Sequence, residues 1–322
     1  MLRTGLEFLL FFAFAALLQW REGAMSAEFG GYADESAHLV TGLMVRDYLA
    51  TFPLQPPLPF AENYYLHYPK VAFGHWPPLF YIAQAAWMLA LPVSRASVLL
   101  FMAAWMALLA TILRRTLRAE TSPFSSWCAA LILVALPLIA EYTGMIMAEI
   151  QVAALMFAAA IFFGRYLDSG NRGQIVWFGI FTCLAILTKG NAWALALMPI
   201  GAAFISKQSS RLRSLWFWMP GLVAAAICIP WFYLTMPMAR LGWGPEPGWS
   251  DRWLALSTNA FHLLTAGGWV VTACAALGIW DRIVRPSLQR KKIGGIWAAC
   301  FALVLAILVF HSFFFAPPKR GI

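Results

Sequence analysis

Two carboxylates, Asp34 and Glu35, stand side by side in the chain and have the means to do chemistry. A carboxylate near a membrane surface is partly desolvated, which raises its pKa and makes it a competent general base for an acceptor hydroxyl. A second acid beside it can share the proton or hold a metal. The stretch from Tyr32 to Tyr81 is the longest polar one in the sequence. It holds four of the 14 acids, namely Asp34, Glu35, Asp47 and Glu62. A plainer role is also open: after Gly30-Gly31, Asp34 predicts a cap for a helix running through His38 and Val45 to Tyr48. His38 lies four residues on and shares a helix face with Asp34, as metal ligands can. No His-Glu-x-x-His pattern accompanies it, so the metalloprotease signature is missing.

Aromatics and imidazoles follow in the same stretch. Tyr64-Tyr65-Leu66-His67-Tyr68-Pro69-Lys70 comes after a proline-rich turn (Pro53, Pro56, Pro57, Pro59), and Gly74-His75-Trp76-Pro77-Pro78-Leu79-Phe80-Tyr81 closes it. His67 and His75 are nitrogen ligands or hydrogen-bonded structure. The Pro-Pro pair suits a helix start, where missing amide hydrogens cost nothing. Trp76 and Tyr81 suit the headgroup level of a bilayer, where the segment either anchors or fixes the loop against a lipid-linked substrate. Farther on, Glu149 stands at the edge of an apolar run, a functional candidate or a side chain reaching the interface. Lys189, in Leu187-Thr188-Lys189-Gly190, is a loop lysine or a phosphate contact. The loop from Gly242 to Trp253 offers three tryptophans, Trp243, Trp249 and Trp253, as belt anchors or sugar-stacking faces.

The elements that must position these residues are helices in a bilayer. The chain is 61% hydrophobic and 11% charged, with mean hydropathy +0.71, against about 25% charged in soluble domains. Apolar runs recur from end to end, and lipid-exposed backbone must satisfy itself within helices. The expected class is all-α and polytopic, with nine spans at 5–20, 96–114, 123–141, 146–166, 174–188, 191–206, 214–236, 258–280 and 295–315. The segment 77–92 is short against the ~20 residues a crossing needs and is read as interfacial or dipping into the membrane. Leu6 to Leu18 is followed by Gln19-Trp20-Arg21-Glu22 and no small-residue cleavage site, so it reads as a retained first helix.

The net charge of +9 comes from loop residues, as the positive-inside rule expects, rather than from a nucleic-acid surface. With 77–92 not crossing, the basic runs at 114–118 and 282–292 put the amino terminus inside and the loop 22–95 outside. An outside amino terminus with 77–92 crossing would satisfy those runs equally, and it is the shortness of 77–92 that favours the first arrangement. Glu141 to Glu149, Lys189-Gly190-Asn191 and 237–257 then face the same side. The five cysteines, Cys128, Cys183, Cys228, Cys274 and Cys300, fall in apolar segments without metal or redox spacing. No repeat or second domain is evident, so 1–322 is read as one transmembrane domain.

Taken in order, Asp34-Glu35, Pro77-Pro78-Leu79-Phe80-Tyr81, Glu149 and Leu187-Thr188-Lys189-Gly190 resemble the membrane glycosyltransferases of the C-type fold. The particular likeness is to bacterial relatives of the protein O-mannosyltransferases and aminoarabinose transferases. The resemblance implies sugar transfer from a polyprenyl-phosphate carrier to a lipid, glycan or protein acceptor, at the outer face of a bacterial inner membrane. It implies Asp34 as base, Glu35 as its partner and Glu149 as the acid across the cavity. The expected substrate contacts are His38, Tyr65, His67, Lys70, His75, Trp76, Tyr81 and Lys189. No cofactor is firmly implied; a divalent metal is compatible.

Many relatives carry a lysine before the Pro-Pro pair, where this chain has Trp76, so His75 or Lys70 would have to replace it. Relatives also continue through further spans, so the chain is expected to be a short member, a truncated product or a half that needs a partner. A non-catalytic member binding lipid-linked sugar or a partner protein is the second reading. A transporter or flippase is the third; it would call for mid-membrane ionisable groups or repeated halves.

Overall fold

A computed structural model describes residues 2–29, 32–52, 54–72, 74–240 and 247–314. Gly30, Gly31, Pro53, Trp243 with its neighbours 241–246, and the Pro317-Pro318-Lys319-Arg320 tail lie outside the described residues. Every regular element among the described residues is helical, as expected of backbone in lipid. The chain forms a multi-pass membrane protein. It divides into two compact units, one of residues 1–154 with 187–189, the other of 155–186 with 190–322.

The first unit contains α1 (Leu2–Arg21), α2 (Ala33–Thr51), α3 (Pro57–His67), α4 (Leu79–Ala90), α5 (Arg95–Arg118), α6 (Pro123–Ala135), α7 (Pro137–Thr143) and the start of α8 (Glu149–Ser169). Its core is the middle of α5, where Val98, Leu99, Met102, Met106 and Ala110 are all fully buried. Across from it, α1 contributes Phe11, whose ring lies 5.0 Å from that of Trp127. Gln19 of α1 donates to the carbonyls of Leu99 at 2.8 Å and Thr143 at 2.7 Å, which satisfies its buried amide nitrogen, the donor that burial would otherwise penalise. At the other end of α1, Glu7 pairs with Arg114 at 2.5 Å and Arg115 at 3.3 Å. Leu6, Leu9, Leu10 and Leu17 of the same helix are exposed, as lipid-facing side chains are. Gly42 of α2 leaves room for the fully buried Gln84 of α4, which holds these two helices close.

The second unit holds the remainder of α8, α9 (Arg172–Ile186), a 3-10 turn at Gly190–Ala196, α10 (Met198–Ile205), α11 (Leu215–Arg240), α12 (Trp249–Thr265), α13 (Gly268–Ile279), a π-helical turn at Trp280–Val284, α14 (Arg285–Leu288) and α15 (Gly295–Phe314). Phe163 is its pivot, with ring centroids 4.9 Å from Phe178 and 5.7 Å from Phe217. A methyl on Gly164 would sit 2.5 Å from the backbone of Ile296, so α8 and α15 meet through glycine, the small-residue contact that packs helices in lipid. Gly164→Val is expected to destabilise the protein by about 3 kcal/mol through overpacking. Thermal unfolding in detergent, with Gly221→Val at an open position as control, checks this.

Helix lengths revise the expected span pattern. Among the described residues, α1, α5, α8, α11 and α15 are each long and apolar enough to cross a bilayer, and the total is seven if each of the bent pairs α6–α7 (62°) and α12–α13 (98°) is one span. The expected spans 174–188 and 191–206 are instead shorter apolar helices. α4 has 12 residues and is ~18 Å long, too short for a ~30 Å hydrocarbon core, which agrees with reading 77–92 as non-crossing. The region 237–257, expected as a loop, is partly helical: α11 runs to Arg240 and α12 begins at Trp249.

Candidate active site

The helix expected to carry the first acids is α2, but its cap is not Asp34. Tyr32 occupies the N-cap in an extended conformation and makes no side-chain capping bond, while Asp34 and Glu35 lie in the first turn. There both carboxylates meet the positive end of the helix dipole, so the acids still favour the helix start, with Asp34 two positions after the cap. The local fold then separates them. Asp34 is exposed and makes no hydrogen bond or ion pair among the described residues. Glu35 is 1% exposed, and its Oε1 accepts from Arg95 Nη2 at 2.9 Å and from the Ile146 amide at 3.2 Å. Sequence reasoning assigned Arg95 no role.

One turn beyond Asp34, His38 is buried rather than open to a ligand. Its ring stacks on Trp76 at 4.2 Å, and its Nδ1 lies 2.8 Å from the Tyr81 hydroxyl. Burial, with the positive charge of Lys189 and then His75 nearby, pushes the His38 pKa down to about 3. It is therefore neutral at physiological pH and packs against Trp76 and Tyr81. His75 meets the edge of Trp76 at 4.7 Å. The unfolded chain binds a proton on this histidine below pH ~6.5 and the folded chain does not until about pH 3, so stability is full above pH 6.5 and falls as pH drops. The loss is expected to reach about 2–3 kcal/mol by pH 4.5. His38→Gln should flatten that slope in unfolding measured across pH 4.5–7.

The second acid is the first residue of α8, again at a positive helix end. Glu149 Oε1 accepts from Lys189 Nζ at 2.5 Å, each side chain about a quarter exposed, while the buried Glu149 Oε2 has no hydrogen-bond partner. Two further bonds hold this arrangement. Gln151 donates from Nε2 to Thr188 Oγ1 at 3.3 Å, tying α8 to the strip 187–189. Leu79, the first residue after Pro77-Pro78, donates its amide to the Leu187 carbonyl at 2.9 Å. The prolines lack that donor, so the first available amide makes the bond. The Tyr81 side chain lies within electrostatic reach of both Asp34 and Glu149. Asp34, Glu149, Lys189, His38, His75, Trp76 and Tyr81 thus converge.

Three expected contacts do not join them. Tyr65, His67 and Lys70 are exposed on and after α3, and His67 Nδ1 lies 2.9 Å from the carbonyl of Asn63 in its own helix. α3 is held instead by Tyr64, whose hydroxyl donates to Asp47 at 2.9 Å. Trp249 and Trp253 belong to the second unit, where both pack edge-on against Phe313, at 6.4 and 5.4 Å. No group of three or more His, Cys, Asp or Glu side chains able to hold a metal occurs among the described residues.

Comparison with known proteins bears on the family and the fold. Residues 75–234 match the model of the dolichyl-phosphate-mannose-protein mannosyltransferase family. That range takes in Pro77-Pro78-Leu79, Glu149 and Lys189 but not Asp34. The chain is similar to the crystal structure of ArnT from Cupriavidus metallidurans bound to undecaprenyl phosphate, with TM-score 0.62 and 17% identity over 95% of this chain. It spans 55% of the length of that protein. No curated protein matches. The family model assigns residues 75–234 to the dolichyl-phosphate-mannose-protein mannosyltransferase family, and the chain shares the polytopic helical fold of ArnT.

Proposed function

We propose that this chain transfers a sugar from a polyprenyl-phosphate carrier to an acceptor hydroxyl at the outer face of a bacterial inner membrane. The observation that carries the reading is the convergence of an exposed carboxylate with no bonding partner among the described residues (Asp34) with a lysine held by a second carboxylate (Lys189 and Glu149) around Tyr81. Transfer needs a base for the hydroxyl and a positive charge for the departing phosphate. The acceptor oxygen bonds to the anomeric carbon and the carbon–oxygen bond to phosphate breaks. The phosphate leaves with that electron pair, and the hydroxyl proton passes to Asp34. Lys189 faces the charge that grows on the phosphate. ArnT was crystallised with undecaprenyl phosphate, which supports a donor of the same chemical class here. The acceptor is a lipid, glycan or protein hydroxyl.

The test is transfer of label from a panel of polyprenyl-phosphate sugars by purified protein in lipid, with membrane extract as acceptor and with and without chelator. Label transferred by wild type names the donor, and chelator sensitivity would bring in a divalent metal. A folded wild type that transfers from no donor overturns the reading and favours a non-catalytic member that binds lipid-linked sugar.

A further inference from the structure

Arg95 takes no part in the reaction above, yet two other chain segments meet on it and a third meets its carboxylate partner. It is the first residue of α5, where the helix dipole disfavours a cation; Ser94 already caps that helix by accepting from the Ser97 amide. A positive charge there calls for an anion, and Glu35 supplies it at 2.9 Å, with side-chain exposures of 14% and 2%. Through Nη1 the guanidinium also donates to the carbonyls of Ala24 and of Ala27, the latter at 3.0 Å, and it lies 5.2 Å over the Phe29 ring. The same Glu35 Oε1 accepts from the Ile146 amide. One carboxylate oxygen therefore links the start of α2, which bears Asp34, to the segment that enters α8 three residues before Glu149.

We infer that Arg95 and Glu35 form a positioning joint that fixes the two acid-bearing segments against each other. Glu35 acts as scaffold and not as the proton-sharing partner of Asp34, because its bonded oxygen already serves two donors in a buried setting. This role rests on the transferase reading and adds Arg95 to it. An arginine buried against a single carboxylate is costly to leave unpaired, so removing either partner should release both segments.

The full chain in lipid tests this through kinetics and hydrogen exchange together. Arg95→Met and Glu35→Ala should each lower kcat about 100-fold, the scale of a small misplacement of catalytic groups. Donor KM and the pH–rate profile should stay as in wild type. Glu35→Gln, whose amide oxygen can still accept both bonds, should restore most of the activity. The double variant Glu35→Ala/Arg95→Met should be no worse than either single change. Exchange should rise together in 22–29 and 144–148 in Arg95→Met, while the interior of α5 stays protected.

Glu35→Gln as inactive as Asp34→Asn, with exchange unchanged, would place Glu35 in the chemistry and overturn the inference. So would Arg95→Met with wild-type exchange. If wild type itself transfers nothing, the transferase reading fails, and the exchange pattern alone decides whether the joint exists.

Discussion

Asp34→Asn is expected to lower sugar transfer by about 10²–10⁴-fold, the usual contribution of a positioned general base, with little change in stability. The small stability effect follows from the setting. Asp34 is exposed and makes no described hydrogen bond, so Asn removes only a favourable charge at the start of α2, worth about 0.3–1 kcal/mol. Burial would have hidden the carboxylate from an acceptor, and a fixed cation would have weakened it as a base. Its neighbour shows the contrast, since the same substitution at Glu35 acts on a buried pair. The measurement is single-turnover transfer with donor in excess, beside a thermal melt. Loss of activity with an unchanged melting temperature is the expected outcome. Wild-type rates for Asp34→Asn would remove Asp34 from the mechanism.

Lys189→Met is expected to lower kcat by about 10²–10³-fold, the range for removing one preorganised electrostatic contact, and to raise donor KM much less. The asymmetry comes from charge. A polyprenyl-phosphate sugar carries one negative charge on its phosphodiester, and the departing phosphate monoester gains a second. A fixed ammonium therefore interacts more strongly with the transition state than with bound donor, and such an interaction appears in kcat. Glu149 holds that ammonium at 2.5 Å, so Glu149→Gln, which keeps an acceptor oxygen, should cost less than Lys189→Met. Because the two act as a pair, the double variant should fall short of the product of the single effects. Equal losses in kcat and in donor affinity for Lys189→Met would instead mark it as a binding contact alone.

Several features of the site were readable from residue order. Pro77-Pro78 does open a helix, since proline is tolerated where amides have no partner. The Asp34-Glu35 turn does begin one. Arg95 carried a signal that sequence reading passed over: a cation at the first position of an apolar helix opposes the dipole and implies an acid brought to it from elsewhere. His38 carried no such signal. Its four-residue spacing from Asp34 suggested a shared ligand face, but burial against Trp76, Phe80 and Tyr81 is set by residues some forty positions away. Tyr65 and His67 resemble Trp76 and His75 in being an aromatic and an imidazole, yet they and Lys70 lie exposed on and just after α3.

By itself, the sequence determined the solvent and the kind of element. A chain 61% hydrophobic with recurrent apolar runs has to close its backbone bonds within helices in lipid, and the position of its acids at helix starts follows from local dipoles. The tertiary structure decided which of two adjacent carboxylates is open and which is buried, because that depends on Arg95, sixty residues away. It also decided that Glu149 and Lys189, forty residues apart, form a pair. Local spacing fixes which face of a helix a side chain occupies, but burial and charge pairing belong to whatever the rest of the chain brings against that face.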